Sequence, residues 1–432
     1  MFESIYTSLS GMLGFSKGLD VISNNVANLN TPGFKSSQLQ FQDLYYQYSM
    51  EGNNASALQV GTGVNPGNTS LNFAPGQFSN TGNDTDVAID GNGFFILRKD
   101  GQISYSRVGQ FTFDENGFLV ARSDKARVAG LASSATGSAS SGIYSGGGGI
   151  AGSANAGNLQ DINISGFRTS PALATTEVKF VGNLSTGAPS HQITGLVVYD
   201  SSGASHTLTI TFTNNSTPTT NNSTGTPGSW LVDVTDETNA ALLTKGEVRF
   251  GGDGSPETNF NKLTFSYAPK GALATTVSFN FGDPGSFSGA TAFSGGTSTT
   301  SSTLKMASQN GYAAGSLTKT TFDADGNLVA TYSNGQSNKV GRLALAWFND
   351  LQGLQQTGGN LFVNNTTQEP RLAHPGEDVM GKLVPNSIEL SNVQLTQEFT
   401  DMIIIQRGYQ GNSQIISVAN EMIQQLLDLR KA

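Results

Sequence analysis

The sequence predicts a multi-domain protein with two terminal α-helices that pair as a coiled coil and a β-rich middle. Apolar residues recur at heptad spacing at both ends of the chain, over 2–26 and 402–426. Between these ends, short strand-like runs alternate with clusters of Gly, Asn, Asp and Pro. A Thr- and Asn-rich stretch over 169–303 carries further strand-like runs, so we expect a central β-domain inserted into another one.

The N-terminal helix is predicted from an apolar stripe with alternating three- and four-residue spacing. We expect this helix to end near residue 31, because the residue before Pro32 disfavours the helical conformation and Gly33 completes a turn. The stripe is a candidate assembly interface, with these members: Ile5, Leu9, Met12, Leu19 and Val26.

Three glycines lie on the other side of this helix. Gly11, Gly14 and Gly18 each cost about 1 kcal/mol relative to Ala, so an isolated helix is marginal. We expect the apolar stripe to meet the C-terminal helix and the glycine side to admit a further helix. Both ends are then largely disordered in the monomer and fold on assembly.

The C-terminal segment predicts a second long helix, because no proline follows Pro385 and the heptad spacing continues. Its apolar positions complete the candidate assembly interface: Met402, Ile405, Tyr409, Ile416, Ala419, Ile423 and Leu426. The two helices are predicted to associate with each other and with other copies.

Hairpins are predicted in the middle of the chain, where turn residues separate short apolar runs. The expected turns are 90–93, 114–117 and 323–327, each between two strand-like runs. The Ala-, Ser- and Gly-rich stretch 132–158 predicts a flexible loop.

These signals divide the chain into four parts. We predict a helical coiled-coil domain, connecting segments, a first β-domain and an inserted outer β-domain. Their ranges are, in that order, 1–31 with 387–432, 32–74 with 376–386, 75–168 with 304–375, and 169–303.

Composition disfavours most chemical functions. A net charge of −9 disfavours nucleic acid as a partner, and the absence of cysteine excludes disulfides and thiolate sites. The three histidines, which we expect at the surface, lack metal-ligand spacing, and no phosphate-loop motif occurs. No apolar run is long enough to span a membrane, and the early Glu3 without a basic leader does not resemble a secretory signal. We expect no enzyme activity, no catalytic residues, no metal and no cofactor.

Three motifs carry a resemblance to a known family. The segment 19–35, LDVISNNVANLNTPGFK, resembles the N-terminal signature of the flagellar rod and hook family. The segments 86–95 and 105–111 resemble the β-rich domain of that family, and 406–430 resembles its C-terminal helix. The signature residues in this chain are Asn24, Asn25, Asn28, Thr31, Gly33, Phe34 and Lys35.

The resemblance implies a structural subunit of a homopolymeric helical tube. The inserted β-domain resembles that of the family's hook members, which form a curved joint transmitting torque from rod to filament. It implies as partners a distal rod protein, a hook cap protein and a hook-filament junction protein. It also implies an extracellular location, reached by flagellar type III export without a cleaved signal peptide.

Two alternatives remain open. A distal rod subunit of the same family would form a straight, stiff tube. A secreted carbohydrate-binding or adhesin-like β-protein would be a stable monomer that retains its ends.

Overall fold

Two long helices stand at the ends of the chain. The computed structural model describes residues 2–49, 58–131, 159–215, 226, 228–294 and 301–431. Helix α1 covers Phe2–Ala27 and helix α2 covers Leu395–Lys431. The predicted helical ends and β-rich middle are confirmed. Within the range 387–432 predicted for the C-terminal part of the helical domain, helix α2 begins at Leu395, and the residues before it include a short strand at Ser387–Glu389.

The rest of the described chain is almost entirely β-structure, apart from a short 3₁₀ turn at Ser165–Phe167. The strands are β1 Ser37–Asp43, β2 Tyr46–Ser49, β3 Leu58–Gly61, β4 Val64–Leu71, β5 Phe78–Asn80, β6 Val87–Asp90, β7 Phe94–Lys99, β8 Gln102–Ser106, β9 Phe111–Phe113, β10 Leu119–Ala121, β11 Arg127–Leu131, β12 Leu159–Asp161, β13 Thr169–Ser170, β14 Glu177–Asn183, β15 Ser190–Tyr199, β16 Ser205–Asn214, β17 Ser229–Thr235, β18 Ala241–Arg249, β19 Lys262–Tyr267, β20 Thr275–Asn280, β21 Ala290–Thr291, β22 Lys305–Gln309, β23 Gly315–Phe322, β24 Asn327–Tyr332, β25 Ser337–Arg342, β26 Leu345–Trp347, β27 Leu354–Gly358, β28 Leu361–Asn364, β29 Arg371–Ala373, β30 Lys382–Pro385 and β31 Ser387–Glu389.

The chain forms two compact units. Unit 1 comprises Met1–Phe167, Lys319–Ala330 and Asn338–Ala432, and unit 2 comprises Arg168–Thr318 and Thr331–Ser337. Three of the four boundaries between them fall inside strands β23, β24 and β25, and the fourth lies between Phe167 and Arg168. The four-part division of the chain given above stays a prediction.

Unit 1 contains both helices and a ten-stranded sheet. The main path of this sheet runs β27-β28-β8-β7-β11-β10-β9, and β12, β26 and β29 pair at its sides. Apolar side chains such as Phe94, Ile96 and Phe362 form its core. Two small ladders, β30-β6 and β31-β5, join the C-terminal part of the chain to its N-terminal part.

Unit 2 is built from a four-stranded sheet, β15-β16-β17-β18, and a five-stranded sheet containing β14 and β19 to β22. Side chains of both sheets meet in one apolar core, in which Phe212, Trp230 and Phe279 have no exposed surface. The predicted all-β character of this region is therefore found.

Two of the three predicted hairpins form. Strands β9 and β10 pair around the turn 114–117, where Gly117 has a φ of 83°, and β23 neighbours β24 around 323–327. The hairpin predicted around 90–93 is wrong: β6 pairs with β30, whereas β7 pairs with β8 and β11. Gly91 and Gly93 both have positive φ and redirect the chain between the two ladders. The predicted loop 132–158 lies outside the described residues.

Candidate assembly site at the paired chain ends

Helices α1 and α2 run antiparallel and contact each other through the glycine side of α1. A Cβ atom added to Gly11 would lie 2.6 Å from the side-chain nitrogen of Asn412, and one added to Gly18 would lie 2.7 Å from Cδ1 of Ile405. On α2, a Cβ at Gly408 would lie 2.5 Å from the ring of Phe15. The glycines therefore permit a close approach of the two helices.

This arrangement corrects the predicted orientation of α1. The apolar stripe is predicted to face α2, but the buried positions of α1 are Ser8, Gly11, Gly14, Gly18, Ile22 and Asn25, and all of them except Gly14 belong to a second heptad register. The physical reason is that small residues let two backbones come close, so the glycine side packs best against α2. Coiled-coil geometry of the pair stays a prediction.

The antiparallel strands β1 and β4 pack against another part of the glycine side of α1. Gly14 faces Phe41, whose ring edge would lie 2.9 Å from an added Cβ, and Phe41 also lies 5.9 Å from Phe15 between ring centroids. Ser10 accepts a hydrogen bond from the backbone N–H of Val64 at 3.2 Å. Helix α1 is thus packed on two sides and open on the third.

The open side carries large apolar residues. Leu9 and Leu13 are 54% and 55% exposed, and on α2 Ile403 and Ile404 are 59% and 60% exposed. The other exposed apolar residues of the two helices are Tyr6, Leu395, Phe399, Tyr409, Ile415, Val418, Met422, Leu426 and Leu427. Exposed apolar surface of this extent indicates an interaction face.

The signature segment after α1 begins with a small polar network. The side-chain nitrogen of Asn28 donates to the backbone and side-chain oxygens of Asn24 at 2.9 and 3.1 Å. Thr31 donates to the Asn28 side-chain oxygen at 3.1 Å. One of these bonds is accepted by the backbone carbonyl of Asn24 in the last turn of the helix, and the other two join side chains. The chain then turns towards Gly33.

A buried ion pair follows this turn. Lys35 Nζ lies 2.6 Å from Oε1 of Glu389, and neither side chain is exposed. Gly33, with a φ of 67°, donates its N–H to the Glu389 carbonyl at 2.8 Å, and Gly76 donates to the Glu389 carboxylate at 2.9 Å. Glu389 lies six residues before the start of α2. It therefore fixes the segment that follows α1, residues 28–35, which we call the root of the helix pair.

Arg107 completes the buried charges at this root. Its Nε lies 4.0 Å from the second carboxylate oxygen of Glu389, and its Nη2 donates to the Gly91 carbonyl at 2.9 Å. Burial lowers the pKa of Arg107, and burial likewise lowers the pKa of Lys35 against the attraction of Glu389. Two cations thus share one carboxylate, which makes Glu389 the counterion on which both depend.

Asn25 joins the two helices to strand β1. Its side chain exchanges two hydrogen bonds with the backbone of Ser37, donating to the carbonyl at 2.8 Å and accepting from the N–H at 2.9 Å. It also donates to Glu398 on α2 at 3.0 Å. Burial raises the pKa of the Glu398 carboxyl. The amide therefore fixes α1, α2 and β1 at one point.

The predicted site residues fall into two groups. The signature residues lie together at the root of the pair, where Phe34 is buried. The predicted interface residues are spread around the helices: Gly11, Gly14, Gly18 and Ala419 are buried, Leu9, Tyr409 and Leu426 are exposed, and Ile5, Met12, Leu19, Val26, Met402, Ile405, Ile416 and Ile423 are half-buried.

Sequence reasoning missed the partners of the signature residues, namely Glu389, Arg107, Glu398 and Asn360, which donates to the Pro32 carbonyl at 2.7 Å. One signal pointed to them: Lys35 is the one cation in the signature segment 19–35, where the other charged residue is Asp20.

The histidines are not the surface residues that were expected. Each is half-buried with a hydrogen-bond partner: His191 with the Leu304 carbonyl, His206 with Asp200, and His374 with the Leu343 carbonyl. Among the described residues, no group of three His, Cys, Asp or Glu side chains is placed to hold a metal ion. No helix within the described ranges is both long and apolar enough to cross a membrane.

Three family models match the chain in the regions of the quoted motifs. "Flagella basal body rod protein" matches residues 5–35, "Flagellar hook protein FlgE/F/G D1 domain" matches 88–164, and "Flagellar basal body rod FlgEFG protein C-terminal" matches 384–429. The first and third cover the two helices and their roots.

Curated relatives extend the similarity to the full length. The flagellar hook protein FlgE of Treponema pallidum is 31% identical, over 100% of both chains. Those of Borreliella burgdorferi and Escherichia coli are 29% and 30% identical, over 100% and 98% of this chain and 100% and 99% of their own. A crystal structure of Helicobacter pylori flagellar hook protein FlgE2 aligns with a TM-score of 0.48 at 14% identity, over 72% of this chain and 98% of its own. The chain belongs to the flagellar hook protein family.

Proposed function

We propose that copies of this chain polymerise through their paired helical ends into the curved, flexible tube of the flagellar hook. The observation that carries the proposal is the apolar outer side of the α1–α2 pair. Since large residues such as Leu9 and Ile403 are more than half exposed in one copy, burying them against a neighbour is favourable. A repeated contact between unlike surfaces generates a helical tube.

In the same proposal, the helices form a stiff inner wall and the β-units an outer shell. Charged residues make up 13% of the chain, so repulsion between closely packed copies is small. Outer contacts that are polar and weakly charged can slide as the joint bends while it transmits torque. The ends of an isolated copy are largely disordered and order on assembly.

Family membership supports the finer parts of the proposal. The tube contacts the distal rod protein, the hook cap protein and the hook-filament junction protein. Subunits reach this extracellular position unfolded, through flagellar type III export and without a cleaved signal peptide. The role is mechanical, and we propose no catalytic activity.

Electron microscopy of purified protein tests the proposal under conditions that promote assembly. We expect curved tubes from the full chain and none from Leu9→Asn/Leu13→Asn, which makes the open side of α1 polar. Leu273→Asn is the matched control, because Leu273 is 78% exposed and belongs to unit 2, whereas both helices belong to unit 1. A truncation should remove only 1–27 and 395–432, so that Glu389 remains for Lys35. Straight tubes would indicate a rod subunit, and monodisperse wild-type monomers would contradict assembly.

A further inference from the structure

Two cations on the helix pair have no counterion among the residues that the structure describes. Lys17 on α1 and Arg407 on α2 are exposed, and neither forms an ion pair with any residue of the described ranges. Arg407 is the one cation that the sequence places between Leu395 and Asn420 of α2. If assembly covers this surface, an unpaired guanidinium there is strongly unfavourable.

The same helix pair has an acidic groove nearer its root. A cavity of about 380 Å³ lies between α1, α2 and β1, with an apolar wall that includes Leu39, Phe41 and Ile405. Two carboxylates line it, Glu398 and Asp401. Asp401 accepts hydrogen bonds from Gln397 at 3.0 and 3.1 Å but has no cationic partner among the described residues.

Arg407 is not among the residues that line this groove in its own chain. It follows Asp401 by six residues, which places it about 9 Å further along the helix axis and on another side of the helix. A second copy displaced along the axis by a similar distance would bring its Arg407 level with the groove. The guanidinium can pair with a carboxylate while its aliphatic stem lies on the apolar wall.

We infer that Arg407 of one copy enters the groove between α1, α2 and β1 of a neighbouring copy and pairs there with Asp401 and Glu398. This inference rests on the proposed assembly and adds the contact that sets the register between neighbours. Complementary charges of this kind suppress wrong registers, because a shifted neighbour would leave the guanidinium unpaired. Burial raises the pKa of Glu398 in a single copy, and an incoming cation favours its ionised form.

Charge reversal in separate chains tests the inference. Arg407→Glu and Asp401→Arg should each reduce the pelleted polymer at least about tenfold in about 0.15 M salt. An equimolar mixture of the two variants should recover tubes, because each cation then meets a carboxylate on a different chain. Circular dichroism of each variant checks that the monomer fold is unchanged. Lys17→Glu is the matched control and should reduce assembly less.

The outcomes separate this inference from the proposed function. Failure of the wild-type chain to polymerise would contradict assembly itself. Wild-type tubes together with normal tubes from both single variants would overturn the inference. A mixture that does not recover, or a Lys17→Glu variant as defective as Arg407→Glu, would also overturn it.

Discussion

Unit 2 and the helical ends differ in how far their large apolar side chains are buried. Unit 2 encloses Phe212, Trp230 and Phe279 completely. Helix α2, with 37 residues, buries one apolar side chain, Ala419, among those that the structure describes. The stability of unit 2 therefore comes from contacts within the chain, whereas the proposed assembly predicts that full order of the ends depends on another copy and so on protein concentration.

The largest expected effect comes from opening the core of unit 2. Trp230→Ala should lower the free energy of unfolding of this unit by about 3–5 kcal/mol, because it leaves a cavity among fully buried side chains. Urea unfolding measures this loss of free energy. It is followed by circular dichroism of the backbone, because the substitution changes the tryptophan fluorescence. Leu273→Ala removes an exposed side chain and should change little. Equal effects of the two substitutions would contradict the contrast between buried and exposed apolar residues.

Breaking the charge cluster at the root of the helices should come next. Glu389→Gln leaves Lys35 and Arg107 buried without their counterion and should cost unit 1 about 3 kcal/mol. Glu369→Gln, at an exposed position, is the control. Thermal unfolding measures both. Lys35→Met/Glu389→Leu should recover part of the loss, and a double variant as unstable as Glu389→Gln would argue against the buried charge as its cause.

Replacing either of two glycines of α2, which lie three residues apart, should change the stability of the helices in opposite directions. Gly408→Ala places a methyl group against the Phe15 ring and should destabilise the helix pair by about 1–3 kcal/mol. Gly411 has open space around its Cβ position, so Gly411→Ala should stabilise α2 by about 1 kcal/mol. Melting of the helical circular-dichroism signal compares them. If both substitutions changed the stability in the same direction, the contact between Gly408 and Phe15 would be contradicted.

The smallest expected effect is a pH dependence at the root of α2. Because burial raises the folded-state pKa of Glu398, its contribution to stability is present below the unfolded-state pKa and is lost as pH rises through the folded value. The folded fraction of the helix pair in an isolated copy should thus be smaller at about pH 7 than at about pH 5, to the extent that this group contributes. Urea unfolding at both pH values, compared with Glu398→Gln, isolates that part. An unchanged pH dependence in the variant would contradict it.

The sequence predicted the elements of the helical ends well but not their orientation. Pro32 and Gly33 placed the end of α1 within a few residues, and heptad spacing identified α2. Two heptad registers coexist in α1, however, and hydrophobicity alone favours the one that contains Leu9. The partner helix packs against the other register, because close approach depends on the small size of Gly11 and Gly18 and not on their polarity.

The charge cluster at the root shows why the site was only half predictable. The signature marks Lys35, but its counterion lies 354 residues further along the chain. The sequence contains 32 acidic residues, and local spacing cannot choose among them. The pairing of β6 with β30 was missed for the same reason, since the nearest strand in the sequence, β7, is the partner that turn residues suggest.

The separation between Lys35 and Glu389 also sets an order of events in folding. Closing a loop of that length in an unstructured chain costs on the order of 5 kcal/mol of entropy. Strands that form earlier shorten the effective loop, so both β-units should be largely folded before this ion pair closes. A chain that emerges from its N-terminus, in synthesis or in the proposed export, cannot form this ion pair until residue 389 has emerged. The ion pair therefore closes late, after the strands of both β-units are present.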